Sequence, residues 1–141
     1  MTGQMNREHR DPLGLERLVF FSDAVMAIAI TLLVLEIKVP EIEAGAATSE
    51  LVRQVTGLLP KYLGYLTSFW VIGLYWISHH RIFRYVQDYD AGLLRLNLLV
   101  LFFIAFVPFP TALLFEYPAR WITVALYAGT LAAIGLSMVW L

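Results

Sequence analysis

The sequence predicts an all-α protein, a polytopic integral membrane helical bundle with four membrane helices in these residues. Three observations carry this. Hydrophobic residues make up 60% of the 141 residues and charged residues 15%, whereas soluble domains average roughly 45–50% and about 25%. Mean hydropathy is +0.71. The apolar residues also fall into long runs, each able to cross the hydrocarbon layer as a helix of about 20 residues. A soluble enzyme of this length would need more polar residues to cover its surface. With no cysteine, a disulfide scaffold and thiol chemistry are excluded. A net charge of −1 gives no basis for nucleic-acid binding.

Residues 1–16 read as a polar N-terminal tail holding Arg7, His9 and Arg10, with Asp11-Pro12 as a helix start signal. Residues 17–39 form the first span, with no charged residue from Ala24 to Leu35. This run is too long for the apolar part of a signal peptide, and Asp23 interrupts it; Ala44-Gly45-Ala46 keeps a cleavage site as a lesser alternative. Pro40 ends the helix, and residues 40–56 read as a loop made acidic by Glu41, Glu43 and Glu50. The second span, 58–80, opens on Pro60 and Lys61 and closes on His79 and His80. Residues 81–92 are a polar connector. The third span, 93–115, carries Arg95 and Asn97 near its start, and Phe-Val-Pro-Phe-Pro at 106–110 should kink it or end its regular part. Residues 116–120 are a tight turn, and 121–141 a fourth apolar run that closes one transmembrane domain over 17–141. The chain stops at Leu141 inside that run, with Trp140 as its anchor, so further helices are expected beyond it.

Basic residues orient the chain. Arg7, Arg10, Arg17, Arg81, Arg84 and Arg95 fall on one side, and Lys38, Arg53, Lys61 and Arg120 on the other. The bias favours both termini in the cytoplasm.

Asp23 is the first chemical puzzle, because a charge inside a membrane helix is costly unless it is paired or faces a wet interior. Arg17 lies about 240° around the helix from it, so the two do not stack, and Arg17 is expected to snorkel. Candidate partners at similar depth are His79, His80 and Asn97, and the Ser22 hydroxyl can join them. A structural clasp locking the first three helices is the simpler reading, and a titrating or ion-binding Asp23 the alternative. With Asp23 at 0°, Ile28, Leu32 and Leu35 share an arc about 60° wide, and Thr31 flanks it at about 80°. Ala27 and Ile30 lie within about 40° of Asp23. The small residues Ala24, Ala27 and Ala29 would allow close helix contact.

Arg17-x-x-x-Phe21-Ser22-Asp23 on the first helix, Trp76-x-x-His79-His80 at the end of the second, and Asn97 with the Phe106-to-Thr111 stretch on the third together resemble the transmembrane protein 175 family. These are the endosomal and lysosomal potassium channels and their bacterial relatives. The resemblance covers about residues 15–115. It implies a six-helix repeat, of which two helices would be missing here. One motif implies the bacterial, homotetrameric type in the cell membrane. It also implies a potassium-preferring pore lined by the first helix, with Ile28 at the constriction or gate and Leu32 and Leu35 extending the hydrophobic lining. Thr31 would contribute selectivity, with potassium passing it transiently and other monovalent cations able to follow. Arg17, Phe21, Ser22, Asp23, His79, His80 and Asn97 would hold that helix in place. The implied partners are potassium ions, the lipid bilayer and copies of the same chain, with no nucleic acid.

A ring of branched aliphatics closes a pore sterically or by dewetting, and the sequence has no carbonyl filter of the TVGYG type. Glu36, Glu41 and Glu43 could draw cations to the outer mouth. Without the motif, an Ile/Leu stripe reads as a lipid-facing or packing surface. Two other classes stay open. One is a coupled secondary transporter in which Asp23 binds a proton or cation, and the other is a non-transporting assembly subunit. No catalytic set is visible, so no enzyme activity is expected. No cofactor is expected either: His79 and His80 point about 100° apart and cannot sandwich one haem, although a pH-sensing role stays open for them. Trp70 and Tyr75 are expected to pack at mid-span, and Trp76, Tyr117 and Trp121 to pack or lie at the interface.

Overall fold

A computed structural model describes residues 12–87 and 90–141. Its helices are α1 (Pro12–Leu35), α2 (Thr48–Gly57), α3 (Leu59–Phe83), α4 (Ala91–Phe106), α5 (Pro108–Glu116) and α6 (Trp121–Trp140). Arg7, His9, Arg10 and Asp11 lie outside the described residues.

Several boundaries differ from the sequence reading, each for a local reason. The first helix stops at Leu35 instead of 39. Glu36 N and Ile37 N bond back three residues, to Leu33 O (3.4 Å) and Val34 O (3.1 Å), which tightens and ends the last turn. The stretch 40–56 is not all loop. Ala46 N closes a turn onto Glu43 O (3.0 Å) with Gly45 at φ 99°, and α2 follows from Thr48. Only glycine adopts that φ without steric cost. Helix α2 buries none of its residues. It holds itself by Arg53 Nε to Glu50 Oε2 (2.9 Å), Arg53 Nη2 to Glu50 Oε1 (2.6 Å) and Gln54 Nε2 to Glu50 Oε1 (3.0 Å). Helix α3 runs on to Phe83 into the expected connector. Helix α4 opens at Ala91 because the Asp90 carboxylate accepts from Leu93 N at 2.8 Å.

The Pro-rich break falls at Val107, between α4 and α5. Pro108 and Pro110 have no N–H to give. Val107 N bonds to Ile104 O (3.1 Å), and the Thr111 hydroxyl donates to Val107 O (2.8 Å). The first bond gives Ile104 O the donor that Pro108 lacks, as irregular backbone in a membrane requires, and the second adds to the bond that Val107 O already takes from Thr111 N (3.1 Å).

Helix α1 packs on α3, α4 and α5, while α6 closes against α4 and α5. The core is formed by Met26, Ala29 and Leu33 of α1, Ile72 of α3, Val100, Leu101 and Ile104 of α4, Val107, and Ile134 and Met138 of α6. Hydroxyls inside the bundle are also satisfied. Ser68 shares hydrogen bonds with Thr111 and Tyr127, both at 3.1 Å, tying α3, α5 and α6. Thr130 and Ser137 donate to carbonyls four residues back, at 2.8 and 2.7 Å. Gly64 lets α3 approach α5 closely, because a Cβ there would run into the Phe115 ring.

Among the described residues, three segments are long and apolar enough to cross a membrane: Leu13–Leu35, Ala91–Glu116 and Trp121–Trp140. Helix α3 has 25 residues, about 37 Å at 1.5 Å per residue, and is the most polar of the long helices.

Candidate pore helix and polar clasp

Helix α1 has two unlike faces. Leu18, Ser22, Met26, Ala29 and Leu33 are buried, and their spacing of three and four residues draws one stripe along the helix. The rest of the helix surface is largely bare, and on it Ile28 is 57% exposed, Leu32 42% and Leu35 69%. Thr31 is exposed among them, its hydroxyl turned back to Ile28 O at 2.8 Å. Of the small residues expected to dock on neighbours, Ala29 is buried, but Ala24 and Ala27 are exposed. The docking face is therefore the Ser22–Ala29 side, not the Asp23–Ala27 side.

The buried stripe carries a chain of polar contacts across three helices. Ser22 Oγ donates to Leu18 O (2.8 Å) and accepts from Asn97 Nδ2 (2.9 Å). Asn97 Oδ1 lies 2.8 Å from His79 Nε2. A carbonyl oxygen only accepts, so this pairing places the proton of a neutral His79 on Nε2. The imidazole also stacks on Phe83, with ring centroids 4.4 Å apart. Ser22, His79 and Asn97 are all buried, and their direct chain ties α1 to α3 and α4.

Asp23 is satisfied otherwise than expected. Its Oδ1 accepts from the indole Nε1 of Trp76 at 2.7 Å, not from His79, His80 or Asn97. His80 instead stacks on the Trp76 ring, with centroids 5.7 Å apart and planes at 27°. Trp76 is the residue the sequence reading undervalued, as a packing or interfacial aromatic. The signal was its spacing: Trp76, His79, His80 and Phe83 recur at three and four residues and share one side of α3. Arg17 and Phe21 are exposed and take no part in this chain of contacts. Tyr75 does pack, donating to Leu131 O at 2.8 Å, whereas Trp70, expected to pack, is 61% exposed.

Outside the spans, electrostatics are concentrated at α2. Hydrogen bonds from Arg53 and then Gln54 hold the Glu50 carboxyl down at about 2, and Glu50 in turn raises the Arg53 guanidinium.

Long apolar helices locked by buried, fully paired polar groups define a multi-pass helical membrane protein. Residues 17–108 match the family model described as endosomal/lysosomal potassium channel TMEM175, and the chain belongs to that family. A potassium channel of Chamaesiphon minutus is 48% identical over 123 residues, 85% of this chain and 60% of that protein. The crystal structure of a lysosomal potassium-selective channel TMEM175 homolog from the same organism superposes with a TM-score of 0.80 at 45% identity, over 89% of this chain and 68% of that one. An endosomal/lysosomal proton channel TMEM175 of Gallus gallus is 36% identical over 115 residues, 78% of this chain and 23% of that protein. The chain thus spans 60% of the bacterial relative's length. The family is one of ion channels, not enzymes.

Proposed function

We propose that the protein is a potassium-preferring cation channel of the cell membrane, a homotetramer in which α1 of each copy lines the pore. The observation that carries this is the bare face of α1. Ile28, Leu32 and Leu35 are exposed, outside the stripe that docks on α3 and α4. Four such faces around an axis would form rings of branched aliphatics, with Ile28 as the constriction and Leu32 and Leu35 extending it, able to close by dewetting. Thr31 would offer hydroxyls to a partly dehydrated potassium ion once its bond to Ile28 O is given up. The Ser22–Asn97–His79 chain and the Asp23–Trp76 bond would hold the pore helix in register. Helix α3 serves as a fourth span, the complete protein has six, and the N-terminus faces the cytoplasm, in keeping with the arginines of the tail and of residues 81–95.

A second reading is proton conduction, since the avian relative is named a proton channel. Ion flux from proteoliposomes under potassium, sodium and proton gradients separates the two, with Ile28→Asn beside the parent. Passive, non-saturating flux that prefers potassium, with conductance kept or raised and selectivity relaxed in Ile28→Asn, is the expected result. Proton flux alone would favour the second reading. Saturable, substrate-coupled flux lost in Asp23→Asn would favour a transporter, and absence of flux in intact oligomers an assembly subunit.

A further inference from the structure

At the end of the bundle away from the His79–Asn97–Ser22 chain, four charged side chains converge on one recess of about 210 Å³. Glu36 and Lys38 come from the segment leaving α1, Lys61 from the first turn of α3, and Glu116 from the last turn of α5; Phe109 and Tyr117 add aromatic wall. Two cations and two anions thus line a partly apolar pocket. Lys61 Nζ and Glu116 Oε2 are 3.7 Å apart, well beyond the roughly 2.7–2.9 Å of a charge-assisted hydrogen bond. Both groups therefore keep bonding capacity for a ligand. The helix ends reinforce the pattern. The start of α3, beside Lys61, is the positive end of a helix dipole, and the ends of α1 and α5, beside Glu36 and Glu116, are negative ends. The volume is below the roughly 300–1,000 Å³ of sites for drug-sized ligands and suits a head group. Helices that cross the bilayer end here, which places the recess at the level of lipid head groups.

We propose that this recess binds the phosphoethanolamine head group of a membrane phospholipid. The phosphate lies against Lys38 and Lys61, the ammonium against Glu36 and Glu116, and the glycerol end against Phe109 and Tyr117. A primary ammonium brings three N–H donors to carboxylates. The quaternary ammonium of a choline head group brings none, and a phosphoglycerol head group brings no cation. The recess therefore ranks ethanolamine above both. This inference requires only that the chain sits in a membrane, so it stands or falls separately from the pore assignment.

The test is native mass spectrometry of the purified chain in detergent, titrated with phosphatidylethanolamine, phosphatidylcholine and phosphatidylglycerol of identical acyl chains. Phosphatidylethanolamine should be retained about tenfold more tightly than either of the others. Glu116→Gln should bring its ratio to phosphatidylcholine close to one, and Lys38→Ala and Lys61→Ala should lower its retention. Lys38 is exposed and outside the helices, so Lys38→Ala keeps the test decisive even where Lys61→Ala fails to fold. Soluble glycerophosphoethanolamine at tenfold excess over lipid should not displace it; full displacement would overturn the membrane-lipid assignment. Equal retention of the three lipids by the parent, or parent-like ratios in both Lys38→Ala and Glu116→Gln, would overturn the site itself.

Discussion

Asn97 stands at the centre of the buried polar chain, giving a donor to Ser22 and an acceptor to His79. Truncating it leaves the buried His79 Nε2 without a partner and Ser22 with only its bond to Leu18 O, and an unsatisfied buried polar group costs about 1–3 kcal/mol. Asn97→Ala should therefore lower the melting temperature in detergent clearly, whereas Ser78→Ala, an exposed hydroxyl bonded only to its own helix at Leu74 O, should not. Equal melting temperatures for the two variants would remove Asn97 from any role in holding the helices. A second prediction concerns α2. Because the folded Glu50 carboxyl is held at about 2, whatever its pairing contributes is present in full above the ordinary carboxylate range and is lost progressively as pH falls from that range through about 2. A carbon-detected NMR titration should find Glu50 still ionised at pH 4, and Arg53→Ala should raise its midpoint toward the ordinary range, with the Gln54 bond still lowering it. The melting temperature should barely move, since exposed pairs are worth little. A midpoint near the ordinary range in the parent would contradict the triad.

The long apolar helices were legible at the scale of elements, because a run with few charges leaves a membrane helix as its simplest outcome. The break near Val107 was legible too, since proline chemistry is local. Helix α2 was not. Its ten residues are short and polar, and its hold comes from one Glu50–Arg53–Gln54 set that looks like solvated charge in a linear reading. The contacts among Ser22, His79 and Asn97 could be anticipated from matching depth on three spans, but the Trp76 donor to Asp23 could not. A search for charge partners passes over an indole N–H. The bare side of α1 was visible as a period, but residue size did not say which side docks: Ala24 and Ala27 are as small as Ala29 yet face away, and the docked side is the one on which Ser22 meets Asn97. The α3–α5 contact yields a prediction at this scale. Gly64→Leu should destabilise by about 1–3 kcal/mol through overpacking against Phe115. Gly73→Ala, where an added Cβ meets nothing within 4 Å, should be neutral or stabilising, helix propensity favouring alanine by about 1 kcal/mol. Thermal melts of both variants decide it, and equal loss in the two would show that Gly64 is not needed for close approach.

The whole molecule sets the assignment of its exposed apolar surface. That surface is of at least two kinds in the proposed assembly, and exposure alone does not tell them apart. Trp70 and Leu74 on α3 are as bare as Ile28 and Leu35 on α1. Lipid suits the α3 pair, since aromatic and leucine side chains facing acyl tails need no further partner. Exposed hydroxyls turned back to their own helix occur on both faces: Thr67 to Leu63 O and Ser78 to Leu74 O on α3, and on α1 Thr31 between Ile28 and Leu35, bonded to Ile28 O. A pore reading gives the Thr31 hydroxyl water and ions to meet. Cysteine substitution separates the two surfaces. With the channel open, Ile28→Cys, Leu32→Cys and Leu35→Cys should react with a water-soluble, membrane-impermeant thiol reagent and lose current, and Trp70→Cys and Leu74→Cys should not. These 141 residues contain no cysteine, so labelling within them comes from the introduced site. Thr31→Ala should react with nothing and yet shift the potassium-to-sodium permeability ratio, because it removes hydroxyls without narrowing or charging the passage. Protection of Ile28→Cys in a channel shown to be conducting would place the α1 stripe against lipid or protein. The α1 lining would then have to be abandoned, even with potassium flux intact.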